Sequence, residues 1–200
     1  MGSVRQVEVS PDSLLARYGS AQDYRDCFAR EVAGHVTLEQ FIERFYCSAA
    51  FRPERIVLGL IGRGASNADA RALARGETDR FAVWEVVERS DLPSGSKAVG
   101  HERHEILLHS KDTGTASWLA VSSGSAAIGQ TGTSLSSGAV GQTGTSSSSA
   151  AVGQSRNPGT TTLYFGSWVG NLGQSGWRFM QQAHVLYSRV LLESAADTFL

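Results

Sequence analysis

The chain has 200 residues, 18 basic and 19 acidic side chains, a formal net charge of −1 and a hydrophobic fraction of 41%. That length allows one ordinary domain with a real core, and the near-neutral balance offers no positive field for phosphates, so no nucleic-acid partner is expected. Two cysteines, Cys27 and Cys47, make neither a disulfide framework nor a four-ligand zinc site; MGSVRQVEVSPDS has no apolar leader and no stretch approaches the roughly 18 apolar residues of a membrane span, so a cytoplasmic protein is expected.

Near the start, DYRDCFARE alternates Tyr24, Asp26, Phe28 and Arg30 against Arg25, Cys27 and Ala29, the period of a strand. VTLEQFIERFYCSAAF follows as an amphipathic helix: Thr37 and Gln40 form a capping-box pattern, and Leu38, Phe41, Ile42, Phe45 and Tyr46 share one stripe. Pro53 opens a second helical segment over Arg55 to Ile61, and the alanine-rich Asn67 to Arg75 predicts another turn or two. Beyond Gly76 the pattern changes. FAVWEVVERS is rich in β-branched and aromatic residues and predicts a strand, and HEILLHSKDTGTASWLAVSS predicts a hairpin in which KDTG is the turn. TTLYFGSWVG predicts one more strand. Trp177, Met180, His184, Tyr187 and Leu191 then step by three and four along a closing helix, with Leu186 and Val190 broadening the stripe.

Between the last two strands lies SAAIGQTGTS at Ser125, repeated as SGAVGQTGTS at Ser137 and, decaying, as SAAVGQSRNP at Ser149. No charged residue occurs from Thr113 to Ser155, and each repeat offers about one sizeable apolar side chain. Burying one such group contributes roughly 1.5–3 kcal/mol, against about 1–2 kcal/mol for ordering each backbone residue. The repeats therefore cannot order themselves, and residues 124–158 are expected to be a flexible loop inserted into a single domain spanning residues 1–200. The Thr131-Gly132-Thr133 and Thr143-Gly144-Thr145 triplets resemble the threonine ladder of small solenoid ice-binding proteins over two turns only, fewer than stacked repeats need.

A strand, helices, a run of antiparallel strands and one long helix is the element order of an α+β helix-grip fold, in which a curved sheet wraps the last helix and leaves a cavity between them. DYRDCFARE, FAVWEVVERSD, EILLHSKDTGTASWLAV, TTLYFGSWV and AHVLYSRVLLESAA together resemble an uncharacterised bacterial family of domains related to the START-like, polyketide cyclase-like helix-grip superfamily. The resemblance implies a cavity for an apolar or amphipathic small molecule. Members of that family also occur fused to nicotinamide-dependent dehydrogenase-like domains, but G-x-G-x-x-G is missing here and no cofactor is expected. The repeats depart from the family pattern, and the strand after KDTG lacks the histidine and acidic residue often found there.

Chemical signatures are sparse. HERHE offers His101 and His104, but in a strand an offset of three puts them on opposite faces, so no metal site is expected. His109 reads as a polar sheet position, and the cysteines, flanked by apolar residues, read as inert thiols. No nucleophile elbow or P-loop occurs. His184, on the stripe of the last helix, is the candidate polar group of a cavity, and Trp84, Trp118, Tyr164, Trp168 and Met180 are the candidate lining. Three functions fit in descending order: a small-molecule-binding domain, a cyclase- or hydrolase-like enzyme using the same cavity, and an interaction protein acting through the repeats.

Overall fold

The computed structural model describes residues 2–60, 62–90, 103–124, 159–170 and 177–200, with backbone alone for 177–180. The elements in order are β1 (Arg5–Gln6), α1 (Leu14–Arg17), β2 (Tyr24–Ala33), α2 (Leu38–Cys47), α3 (Arg52–Leu60), α4 (Asn67–Ala74), β3 (Arg80–Phe81), β4 (Trp84–Ser90), β5 (Arg103–Ser110), β6 (Thr115–Gly124), β7 (Thr160–Val169) and α5 (Trp177–Ala196). The strands form one seven-stranded sheet in the order β1-β2-β7-β6-β5-β4-β3. Every pairing is antiparallel.

Both faces of the sheet are covered, and strand alternation decides which residues serve which face. On one face Phe28, Phe165, Leu119 and Ile106 form a row across β2, β7, β6 and β5. That row packs in the main core beneath α2, α4 and α5, with Phe41, Ile42 and Phe45 from α2, Leu73 from α4, and Leu191, Leu192 and Ala195 from α5. On the other face Cys27, Ala116, Trp118 and Ala120 pack under Leu14 and Leu15 of α1. Small residues there let α1 approach closely. A Cβ on Gly166 would meet Leu15 Cδ2 at 2.5 Å and the Asp26 carbonyl oxygen at 2.9 Å.

Helix starts follow the capping pattern in the sequence. The Thr37 hydroxyl accepts from the Gln40 N–H while the Gln40 side chain accepts from the Thr37 N–H, and Ser66 and Asp69 repeat the arrangement on α4. Arginines of the sheet close helix ends. Arg89 donates to the carbonyls of Leu73 and Ala74 at 2.8 and 2.7 Å, the last turn of α4. Arg30 donates to the Glu193 carbonyl and pairs with Asp197 at 2.7 Å, fixing the end of α5 to β2.

Three sequence expectations change. FAVWEVVERS is not one strand: the chain turns at Ala82, whose φ is +54°, so Phe81 and Trp84 pair across a tight hairpin, and β4 carries a further irregularity between Val86 and Glu88. The buried edge of α5 is rotated from the expected stripe, with Leu186 65% and Val190 45% exposed while Ser188, Leu192 and Ala195 are buried. β1 and α1 were not anticipated, because two residues and four residues are too short to show a period. The repeats lie outside the described residues. The strands they join, β6 and β7, pair along their whole length from Thr115↔Val169 to Gly124↔Thr160. Among the described residues no helix is long and apolar enough to cross a membrane.

Candidate functional site

A cavity of about 260 Å³ lies on the helix-covered face, at the end of the sheet where β6 begins and β7 finishes. The stripe of α2 brings Phe45 and Tyr46 to it, the following turn Phe51, and α3 Glu54 and Leu58. The β3–β4 hairpin turns Trp84 in from the side. The sheet contributes Ser117, Phe165 and Ser167, and α5 closes the space with His184, Tyr187, Ser188 and Leu191, positions one helical turn apart.

The walls are aromatic. Phe45 and Phe165 have ring centroids 4.7 Å apart, Tyr46 meets Phe51 edge-on at 5.1 Å, and Phe51 lies 6.2 Å from Trp84. Polar groups are set among them. The Tyr187 hydroxyl donates to Glu54 Oε2 at 2.7 Å. Burial pushes the Glu54 carboxyl above its ordinary pKa, opposed by that hydrogen bond. Burial, reinforced by the nearby Glu54 charge, pushes Tyr46 and Tyr187 up as well. Three further polar atoms of lining residues, Tyr46 Oη, Trp84 Nε1 and Ser188 Oγ, are buried without a hydrogen-bond partner among the described residues. An unmade bond of this kind costs about 1–3 kcal/mol, and folded proteins keep few of them.

Behind the α5 wall lies a second ionisable pair. In the row next to the Phe28 row, Asp26, Ser167 and Ser117 sit side by side across β2, β7 and β6. Asp26 is 3% exposed; its Oδ1 accepts from the Ser167 N–H at 3.1 Å and its Oδ2 from the Tyr24 hydroxyl at 3.1 Å. His184 Nε2 stands 3.5 Å from the same Oδ2. Burial raises the Asp26 pKa, and the opposing pull of His184 and of the hydrogen bonds does not cancel it. Burial, then the Asp26 charge, pushes the Tyr24 hydroxyl up to about 12. An imidazole on a cavity wall, faced from behind by a buried carboxylate, is the arrangement of an oriented proton acceptor.

Of the residues singled out from sequence, Trp84 and His184 line this cavity. Trp118, Tyr164 and Trp168 do not join them, because strand alternation sends them to the opposite face. There Trp118 Nε1 donates to Glu105 Oε2 at 2.7 Å, and that carboxylate also accepts from the Leu14 N–H at 3.1 Å, which pins α1 to the sheet. Trp168 Nε1 donates to Asp23, and its ring packs against Tyr18 and His109. Trp118 and Tyr164 do line a larger hollow of about 490 Å³ beneath the N-terminal segment. Arg103 in its lining is already engaged, 2.8 Å from Asp12 and 3.7 Å from Glu105. The Met180 side chain lies outside the described residues.

Tyr46, Glu54, Asp26 and Ser188 were not singled out from the sequence. Asp26 carried the one available signal, a carboxylate on the Phe28 face of a strand alternation. His101 and Glu102 of HERHE fall outside the described residues, and among those described no group of three or more metal-ligating side chains is assembled. Cys27 is buried with its thiol pushed up to about 12, and Cys47 is half-buried and also raised by burial. Among known proteins, no family model, no curated protein and no solved structure matches the chain.

Proposed function

We propose that the protein is a small-molecule-binding domain of helix-grip type, holding an apolar or amphipathic molecule in the cavity between the sheet and α5. The strand order β2-β7-β6-β5-β4-β3, all antiparallel, and the final helix laid across it support the helix-grip reading. The observation that carries the binding reading is the aromatic cavity with unpartnered Tyr46, Trp84 and Ser188. A purely structural core would place apolar atoms there, since an unpaired buried polar group costs more than a well-packed apolar one. The larger hollow on the other face has one such atom, Arg103 Nε, and that guanidinium already pairs with Asp12 and Glu105, so size alone does not decide.

Native mass spectrometry of the gently purified full chain tests this, by comparing its mass before and after denaturation. The expected result is an added mass on the order of one to a few hundred daltons, matched to a pocket at the small end of ligand cavities. Ser188→Phe, which fills the cavity, should remove the adduct while the protein stays folded. A bare mass in the natural protein, or an adduct that survives Ser188→Phe, overturns the assignment to this cavity.

A second reading is favoured by one specific observation, the buried Asp26 facing His184 at 3.5 Å. In this reading the cavity performs cyclase- or hydrolase-like chemistry with His184 as proton acceptor and Asp26 as its positioning residue. It requires that His184→Ala abolish turnover of the molecule recovered above while leaving its binding in place. Unchanged chemistry of that molecule over the natural protein and the variant dismisses the enzyme and leaves the binding domain.

A further inference from the structure

The helix-side cavity has carboxyls but no permanent cation among its described lining residues. Glu54 is in its wall, Asp26 lies behind His184, and none of the described lining residues is a lysine or arginine. Among the described residues Glu54 makes no ion pair, and its partner is the neutral Tyr187 hydroxyl. The same cavity is lined by the rings of Phe45, Tyr46, Phe51, Trp84, Phe165 and Tyr187. Aromatic faces are negative and attract cations, tryptophan most strongly.

We propose that the cavity selects an organic ammonium, an amine or quaternary ammonium, that carries a hydrogen-bond-accepting oxygen elsewhere in the molecule. The proposal rests on the binding reading above and names its ligand class. The ammonium pairs with Glu54 among the aromatic rings. The oxygen accepts from Trp84 Nε1, which can only donate, with the Tyr46 and Ser188 hydroxyls as further partners. Other classes fit worse. A carboxylate ligand meets the Glu54 carboxylate and no lysine or arginine among the described lining residues, a hydrocarbon leaves three buried polar groups unpaired, and a neutral oxygenated ligand leaves Glu54 without a counter-charge.

Three probes of nearly the same shape separate these classes: acetylcholine, its neutral isostere 3,3-dimethylbutyl acetate, and the anion 4,4-dimethylpentanoate. Calorimetric titration of the full chain, freed of any co-purified adduct, should show acetylcholine binding at least about tenfold more tightly than the neutral ester, and the anion binding weakest. Glu54→Gln keeps the shape and an acceptor for Tyr187, and should erase the preference for the cation over the neutral ester. Ser188→Phe should abolish binding of both. A neutral ester that binds as tightly as acetylcholine, or a preference that survives Glu54→Gln, overturns the ammonium assignment and leaves the cavity a ligand site. Silence of all three probes overturns it too; where the purified protein nevertheless carries a cavity adduct, the binding reading stands, and where it carries none, both fall.

Discussion

Asp26 is buried and Glu54 half-buried, and the two carboxyls are held differently. Asp26 accepts a backbone N–H and a tyrosine hydroxyl and faces His184, whereas among the described residues Glu54 has the Tyr187 hydroxyl as its hydrogen-bond partner. Asp26→Ala removes the acceptor of the buried Ser167 N–H and one partner of the Tyr24 hydroxyl and is expected to cost roughly 1–3 kcal/mol in urea unfolding, with Asp26→Asn costing less because one acceptor survives. Folding raises the pKa of both carboxyls, and Glu54→Gln isolates that effect because glutamine keeps an acceptor for Tyr187. With the Glu54 pKa raised, the fold favours the protonated form, and that contribution is present below the ordinary carboxylate range and lost as pH rises through the folded value. Glu54→Gln should therefore have a higher urea midpoint than the natural protein at pH 7, with the gap closing near pH 4. Tyr46 and Tyr187, the titratable groups that face Glu54, titrate far above this window, and Asp26 is common to both proteins. A gap of equal size at both pH values would show that Glu54 is ordinarily solvated. At this scale the sequence is least legible. Trp84 and His184 stood out as bulky or titratable, but the partners that give them meaning, Glu54, Tyr46 and Asp26, come from elements far apart in the chain, and no local pattern joins them.

Elements were far more legible, because their signals are local. The α2 capping box and stripe, the β5–β6 hairpin about KDTG and the strand alternation of β2 all rest on periods and turn chemistry that survive into the structure. What alternation cannot say is which of two covered faces a residue joins. Trp118 and Tyr164 are as apolar as Leu119 and Phe165 beside them, and only α1, too short to announce itself, makes their face a buried one. The packing of α1 depends on smallness at Gly166. Gly166→Ala should destabilise the fold by about 1–3 kcal/mol, as over-packing of a tight interior does. Trimming Leu15 cannot fully relieve it, since the added Cβ also meets the Asp26 carbonyl oxygen at 2.9 Å. The thermal midpoint of the single variant measures this, and a value unchanged from the natural protein would mean that α1 does not sit tightly on β7.

For the whole molecule, the repeats and the cavity are rooted at opposite ends of the same two strands. The cavity uses Ser117 of β6 and Ser167 of β7, whereas the chain leaves β6 at Gly124 and re-enters β7 at Thr160, which pair with each other. At the rise of a strand those ends are roughly 23 Å apart. The hairpin is thus closed without help from the segment it carries, and ligand binding should not need that segment either. Replacing residues 125–158 by Asn-Gly should keep the fold and the bound adduct. It should also add on the order of 2 kcal/mol to stability, because a shorter loop costs less entropy to close at about 0.6 kcal/mol per halving. Urea unfolding and native mass spectrometry of the shortened chain give both readouts. Loss of the adduct from a folded, stabilised protein would mean that the repeats reach back to the cavity and take part in holding its ligand; retention would confine their role to contacts outside the domain.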